Sequence, residues 1–311
     1  MDPFSHAIIG LSTISLMQPI ALNNPACIGA VIGAVAPDLD IITRIKGDYV
    51  YLRHHRVESH SLIGVIAIAL LISLPLWFIF DGAIFHEILL GSFIGVLSHV
   101  IMDLLNSYGV ALLYPLNKRK YTLNLLMIYD PVVIVLSVYI ILKNPKSLLE
   151  YGSLFGLFVG YLILKACDKK RLKGRLKGHF QLDYSIEEIS VMPSTLNPLK
   201  WDYIVNARCH YIVGEICSLK GRIKLFHSKK KVWNPIVEKT LKEELGQYFK
   251  SFSPIFHIEI ISMESLTVKL TDLRYRIRKD FMHNAYFYYD EDKRLITSEF
   301  QPFGLKKRIK I

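Results

Sequence analysis

One stretch of sequence restricts the possible folds more than any other: residues 61–80, SLIGVIAIALLISLPLWFIF, contain no charged side chain. A helix rises about 1.5 Å per residue, so a segment of this length reaches across a hydrocarbon core of about 30 Å. An uncharged, apolar segment of this length is typical of a transmembrane helix. The sequence therefore predicts an integral membrane protein.

Three further apolar segments are long enough to span a bilayer, and each carries few ionisable residues. They are Ile84–Leu105, Leu123–Leu142 and Leu148–Ala166. Two shorter runs, Ala7–Met17 and Ala26–Ala36, fall short of a full span, and turn-forming residues separate them. We therefore expect an α-helical membrane domain with about four spans and a short N-terminal helical hairpin that packs against them.

The second half of the chain has the mixed polar composition of a soluble α+β domain. One amphipathic helix is predicted near Pro235–Phe249. Seven segments read as strands, namely Ile186–Met192, His210–Cys217, Gly221–His227, Ile255–Ser262, Ser265–Leu270, Ala285–Tyr289 and Arg294–Phe300. The predicted organisation is a helical membrane domain over residues 1–164, a basic juxtamembrane linker over 165–179 and a soluble domain over 180–311. The charge of the linker fits contact with anionic lipid or ordinary positive charge on the cytoplasmic side.

The distribution of Lys and Arg orients the predicted bundle. Fourteen lie on one side, in residues 37–60, residues 106–122 and the segment after residue 164, whereas only Lys143 and Lys146 lie on the other. Cytoplasmic loops carry the excess of positive charge, so we expect a multi-pass protein of the cytoplasmic membrane with its C-terminal domain in the cytoplasm. The net charge of +11 suits an anionic lipid surface, and membrane lipids are expected partners. No recognised nucleic-acid-binding motif is present, and nucleic acid is not an expected partner.

Seven ionisable side chains gather near the helix ends on the basic side. They are His6, Asp38, Asp40, His55, His60, His99 and Asp103. Imidazole and carboxylate groups this close to hydrocarbon are costly unless they are paired or ligated. His99 and Asp103 are four residues apart, so on a helix they share one face and can reach one ion. Imidazole mixed with carboxylate favours zinc or manganese, and seven candidates leave open whether one or two ions bind.

These motifs differ in how strongly they indicate a metal. Taken alone, His6 reads as a polar residue at a helix start, and APDLD at 36–40 reads as a Pro-terminated helix followed by a capping acid. The run HHRVESH directly precedes an uncharged span, and SHVIMD lies within an apolar helix. Both patterns are costly without a ligand, so together the motifs favour a metal site.

The serial order of the motifs resembles a known family. His6, then APDLD, then HRVESHS at 55–61, then SHVIMDLLNSYG at 98–109 resembles the YdjM/YfhP-like family of membrane-bound metal-dependent hydrolases over roughly residues 1–165. The later stretch PSTLNPLKWDYIV at 193–205 is similar to the YfhP-like members. The family usually has Thr before the second histidine and Gly after the arginine, where this sequence has Ser59 and Val57.

The resemblance implies a metal-dependent hydrolase of the bacterial inner membrane. It implies the seven residues above as the metal site, with four supporting groups, Arg56, Ser61, Asn106 and Asp130. In such a site Asp38 or Asp130 is expected to act as general base and Arg56 to stabilise negative charge on the substrate. A phosphoester, such as a lipid head group, is the favoured substrate class, although an amide or ester suits the same groups.

An alternative function comes from the number of candidate ligands. If protein groups fill every coordination position, no position remains for water. The chain would then be a non-enzymatic membrane protein with a structural or transported metal and a partner-binding soluble domain.

Overall fold

A computed structural model of the chain describes residues 2–15, 17–21, 23–145, 147–195, 197–262, 266–277, 280–302 and 307–311. The chain forms two compact units, one of residues 1–170 with 192–198 and one of residues 171–191 with 199–311. Four residues of the segments named above, Leu16, Lys146, Leu196 and Ser265, lie outside the described residues.

The first unit is helical. Its elements are α1 (Pro3–Ile14), α2 (Pro25–Val35), the 3-10 helix η1 (Ala36–Lys46), α3 (Asp48–His54), α4 (Leu62–Ile79), α5 (Phe85–Leu105), α6 (Pro131–Lys143) and α7 (Leu148–Phe180), whose C-terminal part belongs to the second unit. Among the described residues, four helical segments are long and apolar enough to cross a membrane, namely Pro25–Lys46, Leu62–Ile79, Phe85–Leu105 and Leu149–Phe180. The predicted α-helical membrane domain is confirmed.

Side-chain caps and prolines fix where several of these helices begin. The capping side chains accept hydrogen bonds from the first free backbone N–H groups, and they belong to Asp2 at α1, Asn24 at α2, Ser61 at α4 and Asp130 at α6. Proline follows the cap in α1, α2 and α6, where its missing N–H costs no helical hydrogen bond. These caps set the helix starts.

The predicted span Leu123–Leu142 is shorter in the structure, because α6 begins only at Pro131 and has 13 residues. The preceding segment is non-helical, with a left-handed backbone at Asn124, and it bonds to the end of α5. The Leu123 N–H donates to the Leu104 carbonyl at 2.8 Å, and the Leu125 N–H donates to the Leu105 carbonyl at 2.8 Å. Carbonyls in the last turn of a helix have no helical partner, so this segment satisfies them. The fourth long apolar segment is instead α2 together with η1.

Helices α2 and α5 pack backbone to backbone. Each carries two glycines four residues apart, Gly29 and Gly33 on α2 and Gly91 and Gly95 on α5. A Cβ atom added at Gly95 would lie 2.1 Å from the Ala30 carbonyl oxygen, closer than any real contact. Small residues at this spacing let membrane helices approach closely. The contact fixes α5 against α2.

The predicted N-terminal hairpin corresponds to α1 packed against α2. A Cβ atom added at Gly10 on α1 would lie 2.4 Å from the Ala34 Cβ on α2. Three helices, α1, α2 and α5, therefore pack through small residues.

The second unit contains the strands. They are β1 (Ile186–Pro193), β2 (Lys200–Ala207), β3 (His210–Cys217), β4 (Ile223–Lys230), β5 (Phe256–Ser262), β6 (Leu266–Asp272), β7 (Arg276–Ile277), β8 (Asp280–Phe281), β9 (Asn284–Tyr289), β10 (Leu295–Gln301) and β11 (Ile309–Lys310). One sheet has the order β1-β2-β3-β4, a second β11-β10-β9-β6-β5, and β7 pairs with β8. Strand β2 was not predicted. The soluble α+β domain is confirmed.

The C-terminal part of α7 packs against the first sheet. Leu172, Leu176 and Phe180 recur every fourth residue, and they are buried with Trp201 and Tyr203 of β2. Residues 165–179, predicted as a linker, are thus continuous helix, because one face of the basic segment supplies apolar side chains to a core.

The second sheet buries one face against two short helices. The predicted helix near Pro235–Phe249 is two helices, α8 (Pro235–Lys242) and α9 (Glu244–Phe252), because the backbone at Glu243 is extended. Phe249 of α9 packs edge-on against Phe300 of β10, and both are fully buried. The opposite face of this sheet carries polar side chains.

Candidate metal centre

The pair predicted on one helix face lies near the C-terminal end of α5, and both side chains are fully buried. His99 Nε2 is 3.7 Å from Asp103 Oδ2. The other ring nitrogen of His99, Nδ1, lies 2.7 Å from the Ala34 carbonyl oxygen on α2. A carbonyl oxygen only accepts hydrogen bonds, so Nδ1 carries a proton and Nε2 is the ring nitrogen that faces the cluster.

His60 reaches the same point from the loop before α4. Its Nε2 is 3.0 Å from His99 Nε2, and its Nδ1 is 2.9 Å from the Ser59 hydroxyl. Burial lowers the pKa of His60 to about 4, so the ring is neutral at physiological pH. Ser61, the cap of α4, also donates to the Glu58 carbonyl at 2.8 Å and so fixes the residue next to His60.

Asp38 approaches the two histidines from η1. Pro37 lacks an N–H, and from Ala36 the chain winds as a 3-10 helix with about three residues per turn. Asp38 Oδ1 lies 3.8 Å from His60 Nε2 and 3.6 Å from His99 Nε2. Its side chain is 16% exposed, whereas the other members of the cluster are fully buried.

Donor atoms of four residues, Asp38, His60, His99 and Asp103, all lie within 4.8 Å of one another. Their closest separations, from 3.0 to 3.8 Å, bracket the roughly 3.4 Å expected between ligands about 2.1 Å from a shared tetrahedral ion. The buried Asp38 Oδ1 has no hydrogen-bond partner among the described residues. The cluster therefore fits a divalent cation.

Asp103 is held by two further side chains. Arg56 Nη2 lies 2.9 Å from Asp103 Oδ2, and the Asn106 amide donates to Oδ1 at 2.8 Å. Arg56 Nη1 also donates to Asn106 Oδ1 at 3.3 Å, and the guanidinium lies over the Tyr108 ring. The one guanidinium offsets only one of the two carboxylates, Asp38 and Asp103, so the buried cluster carries net negative charge that a cation would neutralise.

His6 lies beside the four-donor group. Its ring stacks on the His99 ring at 3.7 Å between centroids, and its Nε2 is 3.5 Å from Asp103 Oδ1. Neither ring nitrogen has a hydrogen-bond partner among the described residues, although the side chain is fully buried. His6 is thus placed against the oxygen of Asp103 that faces away from His60 and His99.

Asp40 and His55 form a pair of their own. His55 Nδ1 lies 3.0 Å from both Asp40 oxygens, and the Arg56 N–H donates to Asp40 Oδ2 at 3.0 Å. Asp38 and Asp40 diverge because two residues of a 3-10 helix are separated by about 240° around its axis. The His55 ring is 6.4 Å from the His60 ring between centroids. The pair adjoins the four-donor group without joining it.

Asp130 is not brought into the cluster. It caps α6 by accepting from the Val133 N–H at 3.4 Å, and its two oxygens accept from the Tyr161 hydroxyl at 3.1 and 3.0 Å. Its burial is explained by these bonds, which join α6 to α7. The motif order alone did not distinguish a capping acid from a site acid.

Several groups that support the cluster were not predicted. The Ala34 carbonyl could not be predicted, because every residue has a backbone carbonyl. The spacing of the glycines at 91 and 95 does indicate the close helix contact that brings this carbonyl to His99. The Ser59 hydroxyl, at the position where the family usually has Thr, forms a hydrogen bond with His60 Nδ1.

Comparison with known proteins gives two family matches. The family model described as YdjM inner membrane protein matches residues 1–172, and the one described as YfhP C-terminal alpha/beta plait domain matches residues 235–309. In an alignment 329 positions long, the chain is 26% identical to a protein of Bacillus subtilis (strain 168) described as uncharacterized protein YfhP, and the alignment covers 100% of this chain and 99% of that protein. No solved structure matches the chain.

Proposed function

Because this chain belongs to the YdjM inner membrane protein family, we propose that it is a metal-dependent hydrolase of the bacterial cytoplasmic membrane. One observation carries the proposal: two imidazoles and two carboxylates converge in one buried cluster. Such a donor set suits zinc or manganese. When bound, the ion activates water at neutral pH and polarises a phosphoryl or acyl oxygen.

Three residues, His60, His99 and Asp103, are assigned to hold the ion. Three protein ligands are typical of catalytic zinc sites, whereas four are typical of structural ones. Asp38 remains as the general base because it is the one member of the cluster that solvent reaches. A carboxylate there can take a proton from the attacking water and pass it to the leaving group.

Arg56 is assigned to positioning. Its guanidinium is buried and engaged by Asp103 and Asn106, so it fixes the orientation of the Asp103 carboxylate. Contact of this arginine with the substrate, expected from the sequence, is therefore not part of the proposal. His55, oriented by Asp40, supplies a second group for proton transfer at the partly exposed edge.

Asp38→Asn separates catalysis from a purely structural metal. As general base, Asp38 contributes a factor of roughly 10²–10⁴ in rate, so the variant should hydrolyse substrate at least 100-fold more slowly while keeping its metal. Activity would be followed on phosphomonoester, phosphodiester and carboxylic ester substrates, with His60→Ala as the blank and metal measured by elemental analysis. Loss of metal from Asp38→Asn would favour four-ligand coordination and a structural or transported ion.

Sidedness is supported by the positive-inside rule. We propose that the six apolar helices α1, α2 with η1, and α4 to α7 cross the membrane in alternating directions, which would put the loops with the cluster and the start of the soluble domain on one side. The excess of Lys and Arg on that side supports a cytoplasmic location for both.

A groove in the membrane unit supports a lipid-linked substrate. It is lined by side chains of α1, α5, α6 and α7, most of them apolar, with Ser12, Thr13, Ser137 and Tyr151 as the polar ones. The end of the groove nearest the cluster is lined by Ile9, one turn beyond His6, and by Met102, next to Asp103. From there the groove follows α6 from Val133 to Ile140, a distance of about 10 Å. An acyl chain in this groove would bring its head group toward the metal.

Ser137→Trp tests the groove, because it places a large ring where a small buried residue lines it. We expect KM to rise about ten-fold for a long-chain phospholipid and to stay unchanged for a water-soluble phosphoester. Val135→Trp is the matched control, since Val135 is 67% exposed on the same helix. Unchanged KM for both substrates would reject the lipid-linked class and leave metal-dependent hydrolysis untouched.

A further inference from the structure

The second unit contains a polar cavity of about 260 Å³ that the proposed hydrolase function does not use. It is lined by the polar face of the second sheet together with β4 and β8. Three basic side chains line it, Lys229, Lys269 and Arg308, against one acid, Asp280. We propose that this cavity is a binding site for a small phosphorylated molecule.

Sheet register explains why polar groups collect there. Thr271 of β6 lies opposite Asn284 of β9, which lies opposite Gln301 of β10. These three side chains form a row across one face of the sheet, and each is more than nine-tenths buried. The row forms a floor of hydroxyl and amide groups, which is the lining expected for a polar ligand rather than for a hydrophobic core.

A second row places a cation above this floor. Lys269 lies opposite Tyr286 in the register, and its Nζ is 5.4 Å from the centre of the Tyr286 ring. Arg308 lies over the same ring at 4.1 Å. Two cations share one aromatic ring, so an anion between them would relieve their repulsion.

The carboxylates nearby do not neutralise Lys269. Glu259 is its cross-strand neighbour on β5, yet its carboxylate pairs with Lys229 at 3.6 Å. Glu299 pairs with Arg308 at 3.2 Å. Among the described residues no ion pair involves Lys269, which leaves a half-buried cation at the cavity wall. Phosphate, with three acceptor oxygens, suits a lysine, an arginine and neighbouring polar donors.

Size limits the ligand. Pockets for drug-sized molecules usually range from about 300 to 1,000 Å³, so this cavity takes a smaller molecule than those. A phosphate monoester of a small alcohol or sugar fits these limits.

The test is calorimetric titration of the full-length protein with inorganic phosphate and with glycerol phosphate, using glycerol as the uncharged control. We expect saturable binding of the phosphates alone. Lys269→Met and Lys229→Met should each weaken binding by at least about ten-fold, because each removes a charge-assisted contact. Lys230→Met is the matched control, because it changes the same charge at the next position of β4, where the side chain points to the other face.

The metal centre is a second possible phosphate site, so the titration is repeated on His99→Ala. Binding retained in His99→Ala and lost in Lys269→Met supports the cavity. No saturable binding, or binding equally strong in Lys269→Met and in wild type, would overturn it. Lys269→Gln removes the charge but keeps a polar side chain. Loss of binding in this variant as well would therefore be due to the lost charge and not to misfolding.

Discussion

Replacing His99 with alanine is expected to leave the purified protein without bound zinc or manganese and without hydrolytic activity. The change removes one of two imidazole donors and the 2.7 Å bond from Nδ1 to the Ala34 carbonyl that orients it. Loss of an outer partner alone typically costs 10–100-fold in metal affinity, and loss of the ligand itself should cost more. Elemental analysis and the hydrolysis screen measure both effects.

His86→Ala provides the matched control for His99→Ala. His86 lies on the same helix, at its opposite end, and is exposed. It should keep the wild-type metal content and activity. If His99→Ala binds as much metal as His86→Ala, His99 is not a ligand and the cluster must be reassigned.

Asp103→Ala should lose metal as well, but this variant should also be less stable than His99→Ala. The substitution leaves the buried Arg56 guanidinium without its carboxylate, and an unpaired buried charge typically costs about 3–5 kcal/mol. Lower stability would therefore accompany the loss of metal, which makes His99 the better first variant.

Gly95→Val is expected to have the largest effect on stability. Its Cβ would lie 2.1 Å from the Ala30 carbonyl oxygen, so α2 and α5 must separate, at a cost of about 3 kcal/mol or more. Separation also draws His99 away from Ala34. We expect a lower Tm and a lower metal content although every ligand is present.

Gly156→Val on α7 is the control for Gly95→Val, because no atom lies within 4 Å of the position of its added Cβ. Both substitutions put the same β-branched residue into a membrane helix. Thermal unfolding in detergent and metal analysis distinguish them. Equal Tm values for the two variants would mean that the helix contact does not hold the cluster together.

Sequence periodicity predicted much of this structure, because apolar length and helical spacing are local properties. The spacing of His99 and Asp103 is fixed by one helix, so their proximity followed directly. Asp38 and Asp40 looked equivalent, and only the 3-10 geometry after Pro37 directs one to His60 and the other to His55.

Most properties that depend on contacts between elements could not be predicted from the sequence. Asp130 resembled a site residue in the motif order, but its oxygens bond to Val133 and Tyr161. The start of α6 depends on a segment that satisfies carbonyls of α5, such as that of Leu104. In strand β2, Trp201 and its neighbours point alternately to the two faces of the sheet. Polar residues among them obscured this pattern in the sequence.

The small-residue contacts also determine which second mutations can restore a damaged protein. The new methyl group of Gly10→Ala would lie 2.4 Å from the Ala34 Cβ and 2.9 Å from the Ala30 carbonyl oxygen, so Ala34→Gly would remove the closer of the two clashes. Gly95→Ala meets the carbonyl oxygen of Ala30, an atom that every amino acid supplies. A suppressor search should therefore find partial rescue of Gly10→Ala at residue 34 of the facing helix, whereas no exchange at residue 30 can rescue Gly95→Ala.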